Sequence, residues 1–301
     1  MINGIVNVYK EKGYTSFDVV AKLRGILKTR KIGHTGTLDP DAEGVLPVCL
    51  GKATKVCDLL TDKNKEYEAV MLLGKVTDTQ DITGTVLRET PVAVTEDKVR
   101  EAVMGFVGDY MQIPPMYSAL KVNGKKLCDL ARAGVTVERA PRPVKILSIE
   151  ILSVDLPRVH MRVECSKGTY IRTLCQDIGE KLGCGACMES LLRTRVSEFV
   201  LQDALRLSEI EDLIKKEPEG TYSFVRPVDS VFLQYKKAVI RKEFNKLLYN
   251  GNRMAKSMFV AYDSEWEQEQ IRVYDEEGCF IGIYQFDPER GDFKPVKLFM
   301  E

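Results

Sequence analysis

The sequence predicts an α/β domain followed by a small all-β unit. Apolar residues at helical spacing share the first two-thirds of the chain with runs of strict two-residue alternation. From about residue 236 the texture changes to short strand candidates separated by turn-rich segments such as EEG and PERGD. The 301 residues, 44% hydrophobic and 29% charged, suffice for one large domain or two, and exclude a disordered or fibrous chain. No apolar run approaches the roughly 20 residues of a membrane span. The opening MINGIVNVYKEKG lacks the basic patch and apolar stretch of a secretory signal. The eight cysteines, mostly in apolar stretches, read as reduced thiols of a cytosolic protein.

Ser16, followed by Val19, Val20, Leu23, Ile26 and Leu27, reads as a capped amphipathic helix. Residues 31–51 hold four Gly and two Pro, a density that predicts loops and turns in place of regular structure. Tyr67 to Leu73 is a strand candidate. Thr95 to Val107 is a helix with Val99, Val103 and Phe106 on one stripe. Arg158 to Cys165 alternates cleanly, as a half-exposed strand does. Ile171, Leu174, Ile178 and Leu182 then repeat at 3–4 spacing before Gly183, so Tyr170 and Arg172 fall where a strand passes into a helix. Ser208-x-x-Glu211 has the form of a capping box. Lys216 to Tyr222 is a linker candidate, and strands are expected over 257–262, 270–275, 279–286 and 293–299.

Net charge is zero, yet the charge is patchy. Five cations and no carboxylate lie between Val19 and Leu38. Seven cations (Lys121, Lys125, Lys126, Arg132, Arg139, Arg142, Lys145) face only Asp129 and Glu138 between Lys121 and Lys145. Charge alone leaves two readings open, a solvated surface or a phosphate-contacting face. Cys184-x-x-Cys187 is the one close cysteine pair, with no second pair beside it to complete a zinc site.

The densest local signal is Gly33-His34-Thr35-Gly36-Thr37-Leu38-Asp39-Pro40, continuing to Gly44-Val45-Leu46-Pro47. It is a rigid loop that presents one carboxylate, since Pro40 pushes Asp39 out of helical geometry. This stretch resembles the catalytic loop of the bacterial tRNA pseudouridine-55 synthases, the TruB family. Four further segments match that family in order. They are Lys65-Glu66-Tyr67 with Thr77-Asp78-Thr79-x-Asp81, Pro114-Pro115-x-Tyr117-Ser118-Ala119-x-Lys121 with Ala131-Arg132-x-Gly134, Cys165 to Arg172, and Leu191 to Thr194.

The resemblance implies a catalytic domain over 1–235, built on a central mixed, largely antiparallel sheet flanked by helices. It also implies an RNA-binding insertion at about 110–150 and a PUA-like β-barrel domain over 236–301. The implied reaction isomerises one T-loop uridine of tRNA to pseudouridine with no cofactor and no metal. Asp39 matches the essential carboxylate, with attack at C1′, attack at C6 and ribose proton loss all open. Arg172 matches its guanidinium partner. Tyr67 matches the tyrosine that stacks on the extruded base and joins in proton relay. Tyr170 and Leu191 match pocket-lining positions, and His34 a histidine that fills the space left by the base. Lys121, Lys125, Lys126 and Arg132 fall in the insertion that clasps the T-arm, which turns the charge reading toward phosphate contact.

The implied protein is a cytoplasmic monomer whose partner is tRNA, with no membrane and no obligatory protein partner. Glu11, Cys128, Cys187, Leu192 and Ser197-Glu198 depart from the family pattern; none is Asp39, Tyr67 or Arg172. A tRNA-folding chaperone in which catalysis is secondary would use the same surface, whereas the insertion at 121–145, which fits a stand-alone tRNA binder, argues against a synthase subunit that depends on a guide RNA.

Overall fold

In the computed structural model, which describes residues 2–217 and 222–300, the chain opens with the apolar strand Gly4–Lys10 (β1). Helix Ser16–Ile26 (α1) follows, capped by Thr15, whose hydroxyl accepts from the Asp18 amide while the Asp18 carboxylate accepts from the Thr15 amide. The cap thus lies one residue before the expected Ser16, which is buried in the first turn.

Strands Ile32–His34 (β2) and Glu43–Leu50 (β3) correct the expectation that 31–51 is all loop. The apolar run of β3 is buried at every position from Gly44 to Leu50. Pro47 is tolerated because it accepts from the Thr35 amide, so its missing donor faces the same side. There β12 (below) pairs β3 only at Glu43 and Gly44, and β2 begins only at Val48.

Next come Cys57–Thr61 (α2), Lys65–Leu73 (β4), the hairpin Lys75–Thr77 (β5) and Val86–Glu89 (β6), Glu96–Met104 (α3) and Gly108–Gln112 (β7). An excursion carries Lys121–Val122 (β8), Lys125–Lys126 (β9) and Leu127–Arg132 (α4). The chain returns through Arg142–Asp155 (β10), which pairs back onto β7. Arg158–Cys165 (β11), Ile171–Lys181 (α5), Ala186–Val196 (β12), Phe199–Val200 (β13), Leu207–Lys216 (α6) and Val225–Arg226 (β14) complete the larger unit. Helix α6 starts just before the expected Ser208, because Glu209 reaches back to the Arg206 amide at 2.6 Å. Of the linker candidate, 218–221 lie outside the described residues.

Ten described strands of this unit form one sheet in the order β14-β1-β3-β12-β4-β11-β10-β7, with β2 and β13 on its flanks, while β5-β6 and β8-β9 form two separate two-stranded sheets. All of its pairings are antiparallel except β3 with β12. This is the mixed, largely antiparallel sheet expected. Strand β11 shows why its sequence alternates. Val159, Met161, Val163 and Cys165 are fully buried against α5, while Arg162 pairs outward with Glu68 at 2.8 Å and Glu164 with Arg195 at 3.0 Å. Helices α1 and α6 cover Val6, Val8, Leu46, Val48 and Leu50 of β1 and β3. Each fully buried Leu, Ile or Val contributes about 1.5–3 kcal/mol.

The second unit is a five-stranded sheet, Lys236–Val239 (β15), Met254–Ala255 (β16), Gln270–Tyr274 (β17), Phe280–Asp287 (β18) and Asp292–Leu298 (β19), in the order β15-β17-β18-β19-β16, with the short helix Asn245–Tyr249 (α7) between β15 and β16. Residues 257–262 are not the strand expected. Phe259 enters the core against Trp266 and Phe293, ring centroids 5.3 and 5.1 Å away, and one bridge to Ile240 replaces a ladder. Phe232, Phe280 and Phe299 join this unit to the larger one, and Lys55 donates to the Leu298 carbonyl at 2.7 Å. No described helix is long and apolar enough to cross a membrane.

Candidate active site

Asp39 sits on the loop between β2 and β3, and that loop is pinned on both sides of it. The buried Ser16 hydroxyl accepts from the Leu38 amide at 2.9 Å and donates to its carbonyl at 3.3 Å. The Lys10 ammonium, fully buried at the end of β1, donates to the Pro40 carbonyl at 3.0 Å and the Ala42 carbonyl at 2.5 Å. Burial lowers the Lys10 pKa to about 8, against the pull of Glu43 and Asp39. Gly44 lets β3 run against β12. Its φ is +105°, and a Cβ there would sit 2.2 Å from the Arg193 carbonyl oxygen.

Arg172, in the first turn of α5, faces Asp39 across the cleft. Its Nε lies 3.0 Å from Asp39 Oδ2, and its Nη1 lies 3.6 Å from Asp81 Oδ2. The guanidinium also donates to the Thr79 carbonyl at 2.9 Å and the Tyr117 carbonyl at 2.7 Å. Four groups from three loops thus fix a side chain that is only 5% exposed. Asp81 is itself held by the Thr79 and Thr83 hydroxyls at 2.8 and 2.6 Å. Burial raises the Asp39 pKa above its ordinary value, Arg172 opposes that rise, and Asp81 adds to it. The Asp39 side chain is still 43% exposed on the cleft side, where water solvates it in the free protein.

The cleft beside this pair has a volume of about 610 Å³, within the range of small-molecule sites. Asp39, Tyr67, Tyr170, Leu191 and Arg172, all predicted site residues, line it together. Tyr67, on β4, is buried, and burial raises its phenol pKa while Arg193 opposes the rise. The backbone of Tyr170 is clamped by the buried amide of Gln112, which accepts from the Tyr170 amide at 2.8 Å and donates to its carbonyl at 3.0 Å.

The other predicted residues stand apart. His34 does not line the cleft; its Nδ1 accepts from the Gly36 amide at 3.4 Å. Lys121, Lys125, Lys126 and Arg132 are exposed on the excursion that leaves the cleft at Tyr117–Leu120, with Arg132 3.8 Å from Asp129. Among the described residues, no group of three His, Cys, Asp or Glu side chains could hold a metal.

Sequence reasoning assigned no role to Lys10, Asp81, Gln112 or Arg193. Lys10 carried a signal, because it continues the Val6 and Val8 face of β1, where a charge is out of place. Asp81 and Arg193 lay inside quoted motifs without a chemical pattern of their own.

A carboxylate is thus held by a buried guanidinium in a cleft with aromatic walls, set on a mixed sheet. Residues 24–171 match the description "TruB family pseudouridylate synthase (N terminal domain)", and residues 172–233 match "tRNA pseudouridylate synthase B C-terminal domain". A protein of Lachnoclostridium phytofermentans named tRNA pseudouridine synthase B is 56% identical over 99% of this chain and 100% of its own length. One of Alkaliphilus oremlandii with the same name is 46% identical over 99% and 97%. The solved "Cbf5-Nop10-Gar1 Complex" aligns with a TM-score of 0.73 at 28% identity, over 99% of this chain and 85% of that one. An "H/ACA RNP bound to a substrate RNA containing 2'-deoxyuridine" aligns with a TM-score of 0.70 at 26% identity, also over 99% and 85%. The chain belongs to the TruB family of pseudouridylate synthases and is an isomerase.

Proposed function

We propose that this enzyme converts the T-loop uridine at position 55 of tRNA to pseudouridine, acting alone as a cytoplasmic monomer. Structured RNA hides the target, so the base must leave its stack at a cost of a few kcal/mol. Phosphate contacts from Lys121, Lys125, Lys126 and Arg132 offset that cost, and residues 236–301 form a second RNA-contacting domain beside the catalytic domain 1–235. The extruded uridine enters the cleft against Tyr67, with Tyr170 and Leu191 closing its sides. The N1–C1′ bond breaks, the base turns, and a C5–C1′ bond forms; C5 loses a proton and N1 gains one. Asp39 is the carboxylate that drives the exchange, and Arg172 holds it ionised and aimed.

The observation that carries this reading is the 3.0 Å pairing of Asp39 with a buried Arg172 in the cleft that Tyr67 lines. The test is pseudouridine mapping on an unmodified tRNA transcript treated with the purified chain alone. A single new pseudouridine in the T-loop is expected. Modification elsewhere, or only after a guide RNA is added, contradicts the proposal.

A further inference from the structure

Among the described residues, Arg193 is the largest fully buried side chain, and it has no carboxylate partner. Arg172, by contrast, faces two carboxylates. A buried cation without a counter-ion is costly, and a guanidinium cannot shed its proton to escape that cost. Neutral acceptors surround it: Nε donates to the Val45 carbonyl at 2.7 Å, and Nη2 donates to the Gly36 carbonyl at 3.2 Å. Strand register sets Arg193 directly opposite Tyr67, both residues line the cleft, and the guanidinium beside the buried phenol opposes the rise in its pKa.

A phenol oxygen can accept and donate, so a buried tyrosine can point its O–H either way. A guanidinium is a donor only. Beside Arg193, Tyr67 must therefore accept on that side, and its own O–H is left for the cleft. We propose that Arg193 is a positioning residue that fixes Tyr67 as a hydrogen-bond donor toward a carbonyl oxygen of the bound uracil. The cation also favours electron density moving onto the ring it faces. This rests on the reading that Tyr67 meets the target base.

Because Arg193 also ties Gly36 to Val45, a purely scaffolding role must be separated from a role through Tyr67. A double-mutant cycle does this, with Arg193→Lys and Tyr67→Phe measured singly and together in single-turnover assays on a T-arm transcript. Arg193→Lys keeps the charge but loses the fork. It is expected to slow the chemical step by about 10- to 100-fold with RNA affinity within about two-fold of wild type. In the Tyr67→Phe background the same change should cost less than about two-fold, since the hydroxyl it orients is gone. An equal cost in both backgrounds overturns the proposal and leaves Arg193 as loop scaffold. Full activity of Tyr67→Phe alone overturns the role of Tyr67 instead.

A second measurement leaves position 193 untouched. Fluorinated tyrosines of graded acidity at position 67 should give the rate an alkaline limb that moves down with the phenol's acidity. A flat profile refutes the donor role.

Discussion

Arg172→Met tests the network around the Asp39 loop most fully. Methionine keeps the length of the side chain and removes the fork. The Thr79 and Tyr117 carbonyls, bonded at 2.9 and 2.7 Å, lose a charged donor. Each unpaired acceptor costs about 1–3 kcal/mol. Asp81, 17% exposed, loses its cation at 3.6 Å. The Asp39 share is discounted, because that side chain is 43% exposed and water can replace the partner. The expected stability loss is about 3–4 kcal/mol. The kinetic loss has another source. Asp39 is no longer aimed, and the burial that raises its pKa acts unopposed. A misplaced reacting group costs about 10²- to 10³-fold in rate. The assay is single-turnover tritium release from a T-arm stem-loop carrying 5-tritiated uridine, at saturating RNA, beside a thermal melt. Arg172→Met within about three-fold of wild type in rate, or unchanged in stability, refutes the reasoning.

The raised Asp39 pKa has two consequences of known sign. The folded protein binds this proton more readily than the unfolded chain, so this contribution favours folding at low pH and is lost as pH rises through the folded value. At neutral pH Asp39→Asn should therefore melt above wild type, and the wild-type rate should show an acid limb above the ordinary value of 3.8. A lower melting temperature of the variant, or a limb below that value, counts against the raised pKa. Lys10→Met removes the donors to Pro40 and Ala42, and should cost about 2–4 kcal/mol in chemical denaturation and about ten-fold in rate; wild-type values for both exclude Lys10 as the anchor of the loop. Converting Lys125, Lys126 and Arg132 together to Gln should weaken transcript binding and reduce the salt slope by about 2, with Arg132 contributing less because Asp129 is 3.8 Å away. An unchanged slope places the excursion outside the interface.

The parts of the fold that obey one period were legible from the residues. Strand β11 alternates because one face meets α5 and the other pairs with charges on its neighbours. Helix α5 shows its 3–4 repeat because it lies on that same core. Strand β3 was not legible, because glycine and proline signal turns while its gaps in pairing accept both residues. Phe259 misled in the opposite direction, since an apolar run can serve one core position without forming a ladder. At the site, Asp39, Arg172 and Tyr67 came from the family resemblance, as loop composition alone also allows a simple turn. Lys10, Gln112 and Arg193 bond mainly to backbone carbonyls and amides, partners that leave no mark on side-chain patterns.

The account depends most on the carboxylate at position 39. Purified Asp39→Asn protein, with an unaltered fold and unaltered affinity for an unmodified tRNA transcript, should form pseudouridine at least about 10⁴-fold more slowly than wild type in a single turnover. Conversion of the T-loop uridine by that variant at a rate near wild type would contradict the account at its centre.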